Sequence, residues 1–259
     1  MIRMLWLYSA GLVLTVFLAG RIVVSSLFGR PNLACLCRRY PGLWSRTLLR
    51  WAGVEVEIEG LESLDWNQPM VVIANHQSWF DVFALTAFLP AKLRFVAKEE
   101  LGRIPLFGPA WQACGHVSVN RSDRSEAISS LERAASRIRE ESLAVIFFPE
   151  GTRSPDGRLQ VFKKGAFVLA IQTGVPVVPL GISGSRQVMP KGSFRVRPGT
   201  IRIKVGRPIP TAELEHAERN QLLNRSYEAI AGLMVDVGAD PEKGAGSHPI
   251  STEDEEKSG

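Results

Sequence analysis

Along this chain, segments in which apolar residues have the spacing of a β-strand alternate with segments in which they have the spacing of an α-helix. Continuous apolar runs at 70–74 and 143–148 have strand length and no charge, which is typical of parallel strands buried on both faces. Residues 54–59 alternate apolar with acidic, as a half-exposed strand does. Further strands are predicted at 93–97, 116–119, 175–181, 194–197 and 200–205, the last two as a hairpin around Pro198-Gly199.

Helical spacing occupies the segments between these strands. Residues 123–140 begin with a capping box of Asp123 and Glu126, residues 165–173 are closed by Gly174, and a last helix is predicted at 211–237. Because strands and helices alternate, we predict an α/β fold with a mixed, mainly parallel sheet flanked by helices. The predicted domains are N-terminal attachment helices at 1–52, the α/β domain at 53–237 and a disordered acidic tail at 238–259.

The first helix is predicted from a long apolar run. Residues 4–20 carry no charge and lie between Arg3 and Arg21, and the run continues to Phe28. It fits a spanning helix at the lower limit of length, with Arg21 snorkelling, and equally a half-inserted one. It also fits a signal peptide, although no clear small-x-small cleavage site follows it.

The second helix, residues 33–51, mixes cations with Leu, Trp and Tyr. Its arginines are Arg38, Arg39, Arg46 and Arg50. This composition is typical of an interfacial amphipathic helix, whereas a helix packed in a core normally carries fewer arginines. We therefore predict a membrane-associated helical pair, with the basic flank placing the α/β body on the cytoplasmic face, the inner or plasma membrane in a bacterium.

Charge and cysteine content narrow the class of protein. The net charge is +5, and because the tail is acidic, the rest of the chain is more basic than this value suggests. Such a basic surface suits binding to anionic lipid, acidic carriers or nucleic acid. Nucleic acid is the weaker choice because no zinc spacing, aromatic-basic stripe or Walker loop occurs. Cys35, Cys37 and Cys114 form no disulfide framework, which predicts a reducing compartment, and Cys35-x-Cys37 lacks further metal ligands.

A base and an orienting acid follow the strand at 70–74. His76 and Asp81 are five residues apart, so they cannot share one helix face. They can meet if His76 lies in a turn and Asp81 in the next helical turn, and Ser78 and Asp81 have the spacing of a helix N-terminus. Asp81 would then fix the imidazole for proton abstraction. The structural alternative is that Asp81 only caps the helix and His76 only satisfies a backbone group.

An anion-binding loop follows the strand at 143–148. Pro149 ends the strand, and Gly151 permits close backbone approach. Arg153 can bind a phosphate through two hydrogen bonds, with Glu150 as its orienting partner. The alternative is an ordinary surface turn with a solvated charge pair.

Four segments in order carry a family resemblance. They are Asn75–Asp81, Lys98–Gly108, Phe148–Ser154 and Val175–Leu180, and the stretch Phe162–Ala166 is also similar. Over roughly residues 54–210 the chain resembles the 1-acylglycerol-3-phosphate O-acyltransferases, a glycerolipid acyltransferase family with an H-x4-D motif. The resemblance also implies an N-terminal helical pair that serves as a membrane platform.

The resemblance implies a reaction and a set of site residues. His76 and Asp81 would be catalytic, and Glu150, Gly151, Thr152 and Arg153 would bind substrate. An acyl group would move from a thioester, acyl-CoA or acyl carrier protein, to a lysophospholipid acceptor such as lysophosphatidate, with no bound cofactor or metal. Further basic candidates for the lipid phosphate are Lys98, Arg121 and Arg103.

Three other functions stay open at this stage. Ser78 could be the nucleophile of a hydrolase, although no G-x-S-x-G elbow surrounds it. The acceptor could be another lysolipid, such as lyso-ornithine lipid. The protein could also bind membrane lipid without catalysing a reaction.

Overall fold

A computed structural model describes residues 2–120 and 135–240 of the chain. The α-helices of these residues are α1 (Ile2–Leu27), α2 (Leu33–Ala52), α3 (Trp79–Phe88), α4 (Phe107–Ala113), α5 (Gly165–Thr173), α6 (Ser185–Val188) and α7 (Arg219–Asp236). Residues 135–141 are also helical. Short 3-10 turns lie at Leu61–Ser63, Glu99–Arg103 and His216–Glu218.

A seven-stranded sheet organises the described residues. Its strands are β1 (Val54–Glu59), β2 (Met70–Ala74), β3 (Leu93–Lys98), β4 (Val117–Val119), β5 (Ala144–Phe147), β6 (Val177–Ser183) and β7 (Gly199–Val205). The spatial order is β1-β7-β6-β2-β5-β3-β4, and β6 with β7 is the antiparallel pair among parallel ones. The predicted fold class, a mixed and mainly parallel sheet flanked by helices, is confirmed.

The central strands are apolar throughout because both faces of the sheet are covered. Val72 of β2 faces a cluster that includes Leu49 of α2 and Leu85 of α3. Val71 faces the opposite cluster, which includes Leu169 of α5 and Leu223 of α7. All residues of β2, β5 and β6 are buried, as the uncharged runs predicted.

The predicted hairpin around Pro198-Gly199 is wrong. Residues 194–197 form no strand, and β7 pairs instead with β1 on one side and β6 on the other. Because both edges of β7 are taken, the preceding segment has no strand to join. The N–H of Val196 donates to the sulfur of Met4, which fixes this segment against α1.

The last helix begins later than predicted. Thr211 is buried, and its hydroxyl donates to the carbonyls of Ala170 and Val175, so this residue serves the α5 turn rather than a helix of its own. Helix α7 starts at Arg219 after a 3-10 turn that is opened by a capping box of Glu215 and Glu218. The first part of the helix predicted at 123–140, and residues 241–259 of the predicted tail, lie outside the described residues.

The N-terminal helices form a pair that lies against the sheet domain. Among the described residues, α1 is long and apolar enough to cross a membrane by length and composition. Helix α2 packs on α3 through buried Leu49, while its four arginines are exposed. Arg46 also donates to the carbonyl of Ala87, so α2 both contributes to the core and presents the predicted basic face.

The cysteines differ from the sequence-based prediction. Cys37 of α2 and Cys114, which follows α4, are joined by a disulfide, and Cys35 is free and exposed. The prediction that the three cysteines form no disulfide framework is therefore wrong. The pair was missed because the two residues are 77 positions apart and meet only when α1, α2 and α4 pack together.

Candidate active site

The candidate site lies where β2 and β5 end. These neighbouring strands are parallel, with Met70 opposite Ala144 and Ile73 opposite Phe147, so both chains leave the sheet at the same edge. Loops 75–78 and 148–157 therefore lie side by side. Ligands of open α/β sheets bind at such carboxyl ends.

Two hydrogen bonds join the loops directly. The N–H of Ser154 donates to the carbonyl of His76 at 2.7 Å, and the side-chain amide of Gln77 donates to the carbonyl of Gly157 at 2.9 Å. Sequence reasoning missed Gln77 and Ser154 as contributors. Gln77 and Gly157 are 80 residues apart, and neither segment shows which polar groups pair.

The predicted contact between His76 and Asp81 is present. Nδ1 of His76 lies 2.8 Å from Oδ2 of Asp81, which also accepts from the N–H groups of Gln77 at 2.7 Å and Ser78 at 2.8 Å. Asp81 therefore caps α3 and orients the imidazole at once, so the two interpretations of this residue are compatible. With Nδ1 donating to a buried carboxylate, Nε2 carries the lone pair and is the nitrogen left to meet a substrate.

The ring of His76 is also held by an aromatic contact. It stacks on Phe148 with ring centroids 3.9 Å apart and planes inclined by 15°. The His76 side chain keeps 13% of its surface exposed. The ring is thus restrained on one face and at Nδ1, yet open to solvent.

Ser78 is occupied by structural bonds. Its hydroxyl donates to the carbonyl of Met189 at 2.7 Å and accepts from the N–H of Phe80 at 3.2 Å, and the residue is fully buried. A nucleophile needs a free hydroxyl beside a base. The arrangement therefore removes the basis for the Ser78 hydrolase alternative.

Glu150 differs from the predicted substrate contact. Its carboxyl group is buried, with Oε1 accepting from the N–H of His76 at 2.6 Å and Oε2 accepting from the backbone and side chain of Gln160, each at 3.1 Å. Burial raises the pKa of Glu150 to about 8, against the opposing effect of these hydrogen bonds. Glu150 is therefore a positioning residue that holds the backbone beneath His76, and it is not paired with Arg153.

Arg153 lies at the mouth of the site. Its guanidinium stands over the ring of Trp79, 5.1 Å from the centroid, at the first residue of α3. Partial desolvation lowers the pKa of Arg153, while the charge of Asp81 acts in the opposite direction. The cation is thus held near the His76–Asp81 pair by an aromatic surface. Trp79 was not predicted to have this role.

The two residues before Arg153 shape the loop. Gly151 has φ +73°, a left-handed conformation that side chains rarely adopt, so glycine is required there. Thr152 is exposed, and its hydroxyl accepts from Nζ of Lys191 at 3.1 Å. Lys191 is a second cation of this rim that sequence reasoning missed, since it lies outside all the resembling segments.

The remaining basic candidates lie farther along the same sheet edge or beyond it. Lys98 is exposed at the end of β3, the strand next to β5. Arg103 forms an exposed ion pair with Glu99 at 2.8 Å, which makes it a surface charge rather than a site cation. Arg121 lies outside the described residues. Within the described part of the chain, no three His, Cys, Asp or Glu side chains are grouped to hold a metal.

Comparison with known proteins shows the family to which the chain belongs. A family model described as Acyltransferase matches residues 55–183, a range that holds both loops of the site. The chain belongs to this acyltransferase family. The resemblance drawn from the four sequence segments is thereby confirmed.

Named relatives are similar over most of the chain. A 1-acyl-sn-glycerol-3-phosphate acyltransferase of Cocos nucifera is 36% identical over 197 residues, which cover 76% of this chain and 62% of that protein. The alpha enzyme of the same name from Homo sapiens is 31% identical over 188 residues, 73% of this chain and 66% of that protein. The chain thus spans less than two thirds of the length of the curated relatives it matches.

A solved structure extends the likeness to the whole fold. The crystal structure of the 1-acyl-sn-glycerophosphate (LPA) acyltransferase PlsC from Thermotoga maritima matches with a TM-score of 0.78 and 28% identity, covering 92% of this chain and 95% of that one. At this coverage the likeness extends well beyond residues 55–183, which the family model matches.

Proposed function

We propose that this protein transfers an acyl group from a thioester to the free sn-2 hydroxyl of 1-acylglycerol-3-phosphate, giving phosphatidate. The single observation that carries the proposal is the His76–Asp81 pair, in which Nδ1 is bound to the carboxylate while the His76 side chain stays partly exposed. Family membership and the names of the relatives support the same reaction.

The chemistry follows from the two nitrogens of His76. Nε2 takes the proton of the sn-2 hydroxyl as that oxygen attacks the thioester carbonyl, and Asp81 stabilises the resulting imidazolium. The tetrahedral adduct then collapses, the C–S bond breaks, and the proton ends on the thiolate. A thiol has a pKa of about 8.5, so its departure needs little help from an acid.

Arg153 supplies the anchor for the acceptor phosphate. A guanidinium presents paired N–H donors that match phosphate oxygens, and stacking on Trp79 limits the positions it can take. The acceptor is thereby held by its anionic head while its hydroxyl reaches His76. Lys98 and Arg121 stay candidates for additional contacts.

The membrane proposal rests on α1. Contacts run along the helix: Arg3 donates to the carbonyl of Ala52, Tyr8 to that of Phe194, and Trp44 to the hydroxyl of Thr15. Its opposite face exposes large apolar residues, namely Leu5, Leu12, Val13, Phe17 and Leu27. A helix packed on the domain along one side cannot be surrounded by lipid, so α1 lies in the interface with its free face in the bilayer.

We propose that the catalytic domain lies on the cytoplasmic face, and the exposed arginines of α2 support this proposal. An impermeant maleimide can test this placement with a cysteine introduced at exposed Glu213 in a Cys35→Ser chain. Labelling confined to inverted vesicles is expected. Labelling of right-side-out vesicles would put the domain on the other face, where the Cys37–Cys114 disulfide would also be usual.

The reaction is tested by His76→Ala in purified full-length protein. Acyl transfer to lysophosphatidate should fall by on the order of 10³-fold or more, with vesicle binding unchanged, because only the base is removed. His216→Ala, at an exposed position on the 3-10 turn before α7, is the matched control. Unchanged transfer by His76→Ala would leave a lipid-binding protein without this chemistry.

The substrates are tested with a panel. Acyl-CoA and acyl carrier protein are offered as donors to lysophosphatidate, lysophosphatidylethanolamine and lyso-ornithine lipid. Lysophosphatidate should give the highest kcat/KM, since it carries the phosphate monoester that Arg153 fits. A higher kcat/KM for lyso-ornithine lipid would mean that this lipid, and not lysophosphatidate, is the preferred acceptor.

A further inference from the structure

A second cation reaches the rim of the candidate site from outside the family segments. Lys191 donates from Nζ to the hydroxyl of Thr152 at 3.1 Å, and Thr152 is the residue before Arg153. Thr152 offers a neutral partner, so the contact leaves the charge of Lys191 uncompensated. Among the described residues, Lys191 forms no ion pair.

The position of Lys191 is fixed relative to the catalytic pair. Met189, two residues earlier, accepts the hydroxyl of Ser78, which caps the helix bearing Asp81. Just after Lys191, Gly192 has φ +81°, and the N–H of Ser193 closes a turn onto Pro190. The lysine therefore projects from a short turn tied to α3, although its own side chain is exposed.

Two other cations near this loop, Arg158 and Arg186, have hydrogen-bond partners within it. Asp156 pairs with Arg158 at 3.1 Å and accepts from the hydroxyl of Ser154. Arg186 donates from Nε to the carbonyl of Pro155 at 3.2 Å. Lys191, which contacts Thr152, and Arg153, which follows Thr152 in the chain, are thus two cations of this rim that can meet an incoming anion.

The charge of the proposed acceptor calls for such a pair. A phosphate monoester carries about −1.5 to −2 near neutral pH, more than one guanidinium offsets. An arginine gives directional paired bonds, and a lysine gives a point charge on a flexible stem. A phosphodiester or zwitterionic head group carries at most one negative charge there.

We infer that Lys191 is a specificity-determining residue that binds the phosphate monoester of the acceptor together with Arg153 and so selects lysophosphatidate over lysolipids with substituted or absent phosphate. The inference rests on the proposed function. On binding, a phosphate oxygen replaces the hydroxyl of Thr152 as the partner of Nζ. The residue acts on acceptor affinity and takes no part in proton transfer.

The test compares acceptor kinetics of Lys191→Met, Lys191→Arg and the wild type in neutral detergent micelles. Lys191→Met keeps the aliphatic stem and removes the charge. Its KM for lysophosphatidate should rise about tenfold with kcat within about twofold, while the KM for monoacylglycerol stays unchanged. Lys191→Arg should restore most of the affinity. Arg195→Met, an exposed cation four residues farther along the same loop, should match the wild type.

Two results would overturn the inference. One is an unchanged KM of Lys191→Met for lysophosphatidate, and the other is an equal rise for monoacylglycerol, which would indicate a general change at the loop. Calorimetric binding of short-chain lysophosphatidate to His76→Ala, with and without Lys191→Met, gives a readout that needs no turnover. Wild-type protein that binds lysophosphatidate but does not acylate it would contradict the proposed function alone.

Discussion

The carboxyl groups and the cations of the candidate site occupy different surroundings. Asp81 and Glu150 are buried, and the hydrogen bonds described for them come from N–H groups of the protein itself. Arg153 is half-buried at the rim, and Lys191 is exposed. Acids in the interior hold the catalytic loop in shape, while bases at the rim are left to meet a ligand.

The difference follows from the cost of burial. A buried carboxyl group needs several hydrogen-bond donors to replace water, and the backbone N–H groups of residues 76–78 supply part of them. A cation that paired with the carboxylate of Asp81 would be neutralised before a substrate arrived. Keeping acids and cations apart leaves positive potential at the opening, where an anionic lipid head would enter.

Of the substitutions at these acids and cations, Asp81→Asn is expected to have the largest effect. The amide oxygen can take the place of Oδ2 and keep the bonds to Gln77 and Ser78, so the fold should persist. The negative charge that stabilises the imidazolium is lost, and kcat should fall by on the order of 10³-fold with little change in KM. Steady-state kinetics and a thermal melt check both parts. A kcat close to wild type would mean that Asp81 is only a helix cap.

The second test is the pH dependence of stability and concerns Glu150. Its pKa is about 8 in the folded protein against 4.5 ordinarily, so the folded state holds the proton that the unfolded chain releases. The contribution of Glu150 to stability is therefore fully present below about pH 4.5 and is lost as pH rises through 8. We expect a loss of a few kcal/mol over this interval. Denaturant unfolding at pH 5, 7 and 9 measures it.

Glu150→Gln is the matched control for this slope. A glutamine stays neutral at every pH, so its unfolding free energy should vary less between pH 5 and 9 than that of the wild type. Parallel curves for the two proteins would mean that Glu150 is ionised in the folded state.

A smaller effect is expected at the rim, in Arg153→Ala. Removing a charged hydrogen-bonding partner should weaken acceptor binding by about 1.5–3 kcal/mol, seen mainly as a raised KM for lysophosphatidate. Stability should change little because the residue is only partly buried. Loss of ordered structure in circular dichroism would instead mean that Arg153 stabilises the fold, as the buried acids do.

The smallest effect is expected where a cation is paired at the surface. Arg103 is exposed and bound to Glu99, so Arg103→Ala should leave the midpoint of thermal unfolding almost unchanged. Its KM for lysophosphatidate should equal that of the wild type. A rise comparable to that of Arg153→Ala would place Arg103 among the substrate contacts.

Local signals in the sequence were enough for part of the site. The His76–Asp81 contact was predictable because a buried strand, a turn and a helix cap lie within twelve consecutive residues, 70–81. Gly151 was predictable because its role is conformational. In both cases the chemistry depends on near neighbours in the chain.

Contacts between distant segments were not predictable in the same way. The carboxyl group of Glu150 reaches His76 across 74 residues, and Lys191 reaches Thr152 across 39. The false hairpin at 194–205 has a related cause, since the pattern marked β7 correctly but could not show that β1 and β6 take both its edges. The pattern of a single sequence indicates whether a segment is a helix or a strand, but it does not show which other segments that element contacts.

The disulfide determines what happens to the fragments when a protease cleaves the chain. Cys37 and Cys114 enclose β1, β2, α3 and β3, together with His76 and Asp81. A protease cut anywhere between the two cysteines would leave both fragments covalently attached. Such a nicked molecule should migrate as one band on a denaturing gel until a reductant is added and the fragments separate.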